Sequence, residues 1–370
     1  MVGGRITLGK KDYTIKLLRV IATLLVVFGH SNFYLISTEI HGLGYDISMN
    51  IVDHSKFWTI ASYLIGLIYT CHMQLFFAIS GYVFSLCIAN KKYKNYKELT
   101  IAKFCRLIIP YFFVTLLYNL PILLYANYFS HNLQNVLLYF IGYGKNHLWY
   151  LVALFFVFLI TYAFLNFMEK LSAFDQKISF IVVFLGALFI CFLIECGIIK
   201  VTEFMYLDRT LKYFVWFLFG MILRETYYFF DSWKFKEKQI RCSIVTLFFS
   251  WAVLYLNCHN RLVSVLTSFL GVLFFYESCF YIEMKYKIAE SNKLIDLIDK
   301  YSFEIYLYGV PLNYLILTIL VDIYDKVELN NVQSILLFLT RFFVQIFGGI
   351  AIGKLIGSSQ IIIKRVKTWV

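Results

Sequence analysis

Apolar residues run through this chain in long blocks separated by short polar clusters. A helix needs roughly 20 mainly apolar residues to cross a bilayer. Ten blocks meet that length, at about 15–37, 70–90, 105–127, 147–167, 178–199, 211–229, 240–257, 262–282, 301–323 and 333–357. Two shorter apolar pieces, 58–70 and 132–141, read as interfacial or re-entrant segments leading into the second and fourth spans. The pattern predicts an all-α integral membrane protein with one bundle of about ten transmembrane helices. No polar linker divides the chain, so residues 1–370 read as a single transmembrane domain.

Composition agrees with the pattern. Hydrophobic residues make up 61% and charged residues 15%, against about 45–50% and about 25% in average soluble chains. A soluble domain of this makeup would expose large apolar patches and aggregate. Lys10, Lys11 and Lys16 before the first apolar run resemble the start of a signal peptide. That run continues to about Ile36, too long for a signal core, and lacks a small-residue cleavage site, so it reads as a retained span.

The net charge of +12 is spread in short clusters between apolar runs. That distribution is a topology signal and not a nucleic-acid-binding arm. With the N-terminus in the cytoplasm, 26 Lys and Arg fall on the inner side and seven on the outer, leaving Arg341 inside a span. Both termini are therefore expected in the cytoplasm. The eight cysteines form no CxxC pair and lie mostly within apolar runs, as packing residues do.

Ionisable groups inside a span cost about 2.5–3.5 kcal/mol each on insertion scales, which makes them functional candidates. The first span carries Arg19 and His30, eleven positions apart and so on one helix face, about 16 Å from each other. A snorkelling anchor for Arg19 and a satisfied helix-end histidine for His30 are the plainer readings. His72 and His147 also stand at predicted outer ends of spans. None of the three has a His or carboxylate at the spacing a metal ligand set needs, so no metal is expected. An imidazole titrating near pH 6.5 suits general-base work. On the inner side Lys103 and Arg106, with Arg19, would make a basic mouth for an anionic donor, although Lys103 also reads as an ordinary inner-side charge. Glu195 and Glu277 lie in predicted spans and are expected either to orient a histidine or to pair with Arg341.

Four ordered stretches resemble the membrane acyltransferases called acyltransferase type 3. They are Arg19 followed by His30, Leu75 to Tyr82 preceded by His72, Arg106 with Pro110 and Tyr111, and His147 to Leu151. Ser302, Ile305, Tyr306 and Leu307 add a weaker match, and Gly309 stands where that last stretch often ends in His. The resemblance runs from about residue 12 to 312 and looks like the standalone type, without a fused extracytoplasmic hydrolase-like domain.

The resemblance implies transfer of an acyl group, usually acetyl, from acetyl-CoA to a hydroxyl of a cell-surface glycan or its lipid-linked precursor. It makes His30 the catalytic residue, as general base or covalent carrier, and Arg19, Arg106 and Lys103 the donor-binding residues. His72, His147, Trp149 and Ser80 then bind the acceptor or support the site. The expected location is the bacterial cytoplasmic membrane. The alternative is a secondary transporter or flippase for lipid-linked saccharides. Three prolines and the absence of repeated halves argue against it. A glycan polymerase is disfavoured by the few charged groups in its longest outer loop, 38–69.

Overall fold

The structure, a computed structural model, describes residues 12–34, 50–129, 132–144, 146–232, 237–257 and 261–367. Among these residues fourteen α-helical stretches follow in chain order: α1 (Tyr13–Asn32), α2 (Lys56–Tyr69), α3 (His72–Ala89), α4 (Tyr96–Tyr125), α5 (Leu133–Phe140), α6 (Trp149–Met168) and α7 (Ala173–Glu195), then α8 (Leu207–Ser232), α9 (Glu237–Asn257), α10 (Arg261–Tyr286), α11 (Ile288–Ser291), α12 (Lys293–Lys300), α13 (Ser302–Tyr324) and α14 (Asn331–Lys367). Among the described residues nine helical stretches are long and apolar enough to cross a bilayer. The protein is an all-α, multi-pass membrane protein. Helix α8 covers the expected sixth span but carries Lys212, Arg224 and Glu225 along its length. The apolar pieces at 58–70 and 132–141 are the helices α2 and α5. The expected end of the first span at 37, and most of the outer loop that follows, lie outside the described residues.

Two prolines shape α4. Its helix widens into π-turns at Phe104–Ile108 and Thr115–Asn119, and each turn ends two residues before a proline, Pro110 or Pro121. A proline supplies no N–H to the carbonyl four residues back. A locally widened turn is one way a helix accommodates that gap.

The chain forms two compact units. The first holds residues up to Leu18, Tyr69–Phe112 and Ile141–Glu290; the second holds Arg19–Ile68, Phe113–Phe140 and Ser291 onward.

In the first unit α3 and α8 meet backbone to backbone. A Cβ on Gly81 would lie 1.9 Å from the Phe217 carbonyl oxygen, and one on Gly220 would lie 1.8 Å from that of Ala78. Only glycine permits this approach, and small residues at helix crossings let dispersion and packing hold membrane helices together. Phe84, Phe158 and Phe217 then fill the space beside the crossing. Helices α7 and α9 leave Ile181, Val182, Leu185, Phe189, Val245, Phe249 and Val253 exposed. In a chain that spans a bilayer these rows are the lipid-facing surface.

In the second unit α1, α12, α13 and α14 share a core of Val20, Val27, Ile298, Ile305, Ile346 and Ile350. Gly349 lets α14 approach the Ile305 backbone, where a Cβ would come within 2.7 Å. A two-stranded parallel ladder pairs β1 (Ile51–Asp53) with β2 (Val327–Leu329), Ile51 opposite Val327. Its three-residue strands are too short to leave a sequence signal.

Candidate active site

Helix α1 ends at Asn32, and the carbonyls of its last turn have no partner within the helix. Inside a membrane such groups must be satisfied by protein. Trp58 Nε1 donates to the Asn32 carbonyl at 3.4 Å, and two side chains, from α13 and α14, serve the carbonyl of His30. Asn313 donates its Nδ2 to the His30 carbonyl at 2.8 Å, and Arg341 donates Nη2 to the same oxygen at 2.9 Å. Arg341 also donates to the Phe33 carbonyl through Nη2 and to Asn313 Oδ1 through Nε. One helical turn further along α14, Gln345 donates to Ser31 Oγ at 3.0 Å, and Ser31 donates back to the Val27 carbonyl at 2.7 Å. Arg341 and Gln345 are fully buried (0% exposed), whereas His30 is half-buried.

Beyond the helix end, Tyr34 donates its hydroxyl to Asp53 Oδ2 at 2.7 Å, and Ser334 donates to the same oxygen at 2.6 Å. The Arg341 guanidinium stacks 5.3 Å from the Tyr34 ring.

At the other end of α1, Arg19 Nη1 bonds Asp299 Oδ1 of α12 at 3.0 Å. Arg19 and His30 thus belong to the same unit, and both engage elements from the last quarter of the chain.

The remaining sequence-selected residues lie in the other unit. His72 opens α3 and is buried, its ring 4.2 Å from that of Tyr69. Ser80 shares a 2.8 Å hydrogen bond with the hydroxyl of Tyr150, which also donates to the Phe76 carbonyl at 3.2 Å. That bond joins the stretch from Leu75 to Tyr82 to the stretch from His147 to Leu151. His147 is half-buried in the turn before α6. Trp149 is covered by the Arg209 guanidinium at 4.7 Å and by Tyr213 at 5.1 Å. Lys103 is buried, with its ammonium 3.4 Å from the Phe158 ring centroid and Tyr93 and Phe84 beside it. Arg106, one turn on, is exposed. Tyr111 is fully buried, and its hydroxyl meets that of Tyr206 at 3.4 Å.

A family model described as an acyltransferase domain, of acyltransferase type 3, matches residues 12–354. The chain belongs to this acyltransferase family. No curated protein matches it, and no solved structure does.

Within this acyltransferase the ordered stretches divide between the two units. Arg19 and His30 lie in one; His72, Ser80, Lys103, Arg106, His147 and Trp149 lie in the other. Lys103 and Arg106 have different settings, the first under an aromatic ring and the second exposed. Of the two carboxylates considered for Arg341, Glu195 pairs with Lys212 at 2.8 Å and Glu277 accepts from Ser243. The acceptors of Arg341 are instead two main-chain carbonyls and Asn313. A Cβ at Gly309 would lie 3.3 Å from Gln345 Cβ. The place where the family often has His therefore faces Gln345, whose amide reaches the residue after His30. In the sequence Arg341 stands out as a charge within a span, whereas Asn313 and Gln345 do not stand out. Buried polar residues at this depth were the only available signal.

Proposed function

We propose that this acyltransferase moves an acetyl group from acetyl-CoA to a hydroxyl of a cell-surface glycan or its lipid-linked precursor, in the bacterial cytoplasmic membrane. The observation that carries the reading is the family match over residues 12–354, which includes every candidate residue. In the general-base route, the His30 imidazole takes the hydroxyl proton as the acceptor oxygen attacks the thioester carbonyl. The C–S bond then breaks, and the imidazolium returns the proton to the departing thiolate. In the covalent route, the imidazole nitrogen attacks the thioester carbonyl, the C–S bond breaks and coenzyme A leaves as the thiol with the proton of the other ring nitrogen. The acceptor oxygen then attacks the acetyl-imidazole, the C–N bond breaks and the imidazole takes the hydroxyl proton. Arg19, Lys103 and Arg106 would hold the phosphates of the donor, and His72, His147, Trp149 and Ser80 would position the acceptor.

The test is acetyl-labelled acetyl-CoA added to membranes of cells lacking the gene and complemented with the wild-type protein or His30→Ala. Wild type should move label into the envelope glycan fraction, with the matching mass increase on that glycan. The variant should lose at least about 10²-fold of that rate, the contribution of a general base. A His30→Ala protein that transfers label normally would remove His30 from the reaction. An acetyl adduct on His30, found by mass spectrometry, would select the covalent route.

A further inference from the structure

The final turn of α1 carries His30 and is held from outside the helix. An imidazole that must meet an acceptor hydroxyl within about 3 Å needs its backbone fixed. A helix terminus is where backbone normally frays. Here the carbonyl of His30 itself takes two side-chain donors, from Asn313 on α13 and Arg341 on α14, and Phe33 takes a third bond from the same guanidinium. Asn313 and Arg341 are also bonded to each other, so each fixes the other's rotamer.

A buried guanidinium is costly unless its surroundings compensate it. No carboxylate is among the hydrogen-bond partners that the structure gives Arg341. Its partners are carbonyl oxygens at a helix C-terminus, where the helix dipole places partial negative charge. An apolar residue at 341 would avoid the desolvation cost, but would leave the carbonyls of His30 and Phe33 short of donors. The fork of the guanidinium reaches His30, Phe33 and Asn313 together, which a single ammonium cannot do. Of these acceptors the His30 carbonyl is the one that both Arg341 and Asn313 reach.

We propose that Arg341 and Asn313 are positioning residues for His30, fixing the end of α1 so that its imidazole is held in register for acyl transfer. This rests on the proposed role of His30. Neither residue needs to touch the substrate, so their loss acts on turnover more than on donor binding. A displacement of about 1 Å in a reacting group costs about 10²-fold in rate.

The experiment compares Arg341→Met, Arg341→Lys, Asn313→Leu and Asn313→Asp with wild type and His30→Ala, by label transfer from acetyl-CoA in complemented membranes. Arg341→Met and Asn313→Leu should lower turnover per inserted protein between about 10- and 100-fold, with the apparent KM for acetyl-CoA within about twofold. Arg341→Lys keeps the charge and Asn313→Asp keeps the acceptor for Arg341, so each should recover part of the loss. Wild-type turnover in Arg341→Met, or in Asn313→Leu should Arg341→Met fail to insert, would overturn the proposal. Hydrogen–deuterium exchange gives a readout independent of acyl transfer: in Asn313→Leu the peptide over residues 27–34 should exchange faster while the α6 peptides do not change. Unchanged exchange at 27–34 would also overturn the proposal. If wild type moves no label, or His30→Ala moves it normally, the acyl-transfer reading of His30 fails, and the exchange experiment still decides whether Arg341 and Asn313 hold the helix end.

Discussion

Arg19 and Asp299 form an ion pair 3.0 Å apart, so the guanidinium proposed to meet an anionic donor already holds an anion from its own chain. The side chains are 36% and 22% exposed, which leaves the pair open to competition. A donor phosphate would then have to share or displace Asp299. Arg19→Ala should raise the apparent KM for acetyl-CoA several-fold, and Asp299→Asn should lower it by releasing the guanidinium. Initial rates against donor concentration check both directions. If neither variant alters that constant in normally inserted protein, Arg19 is a membrane anchor with a structural partner.

His72→Ala and His147→Ala should each slow label transfer less than His30→Ala. The setting of His72, buried against Tyr69, suits a residue that holds a shape more than one that moves a proton. Side-by-side transfer rates at saturating acetyl-CoA provide the comparison. A His72 or His147 variant as inactive as His30→Ala would move the base assignment.

Gly81→Ala and Gly220→Ala should destabilise the first unit, because each new methyl would enter a backbone carbonyl on the facing helix. Overpacking of this kind costs about 1–3 kcal/mol and more when backbone must move. Gly186 on α7 has open space within 4 Å of the same position, and Gly186→Ala serves as the control. Thermal melts in detergent should show the first two losing folded protein at lower temperature and the third melting with wild type. Equal melting of all three would contradict the close α3–α8 crossing.

The charge asymmetry of the loops predicts cytoplasmic termini. Single cysteines placed at 92 and 238, in a background stripped of native cysteines, should resist an impermeant thiol reagent on intact cells. One at 133, on α5, should react. Labelling at 92 from outside would invert the proposed topology.

The spans were legible in the sequence because a bilayer imposes one length on every helix that crosses it. Helix α14 begins at Asn331, two residues before its predicted span, and α6 and α13 lie within two residues of theirs. The β1–β2 ladder was not legible, since it pairs segments far apart in the chain and three residues carry no periodicity. The setting of Lys103 was hidden for a related reason: its rings come from α3, α6 and the loop before α4. Arg341 stood out as a charge in a span, yet two of its acceptors are peptide carbonyls, which every residue possesses and no sequence pattern marks. Gly81 was visible within the stretch from Leu75 to Tyr82. Its reason, the Phe217 carbonyl on α8, needed the fold.

The hydrogen bond from Arg341 to His30 spans 311 positions of the chain. During synthesis α1 is made well before α13 and α14, which carry the two donors to the His30 carbonyl. Until residues 313 and 341 arrive, the His30 carbonyl lacks both of these donors, and hydrocarbon supplies no substitute. Any product truncated before Arg341 thus contains His30 in an unfinished setting. The order of translation makes the setting of His30 wait for side chains 283 and 311 positions further along the chain.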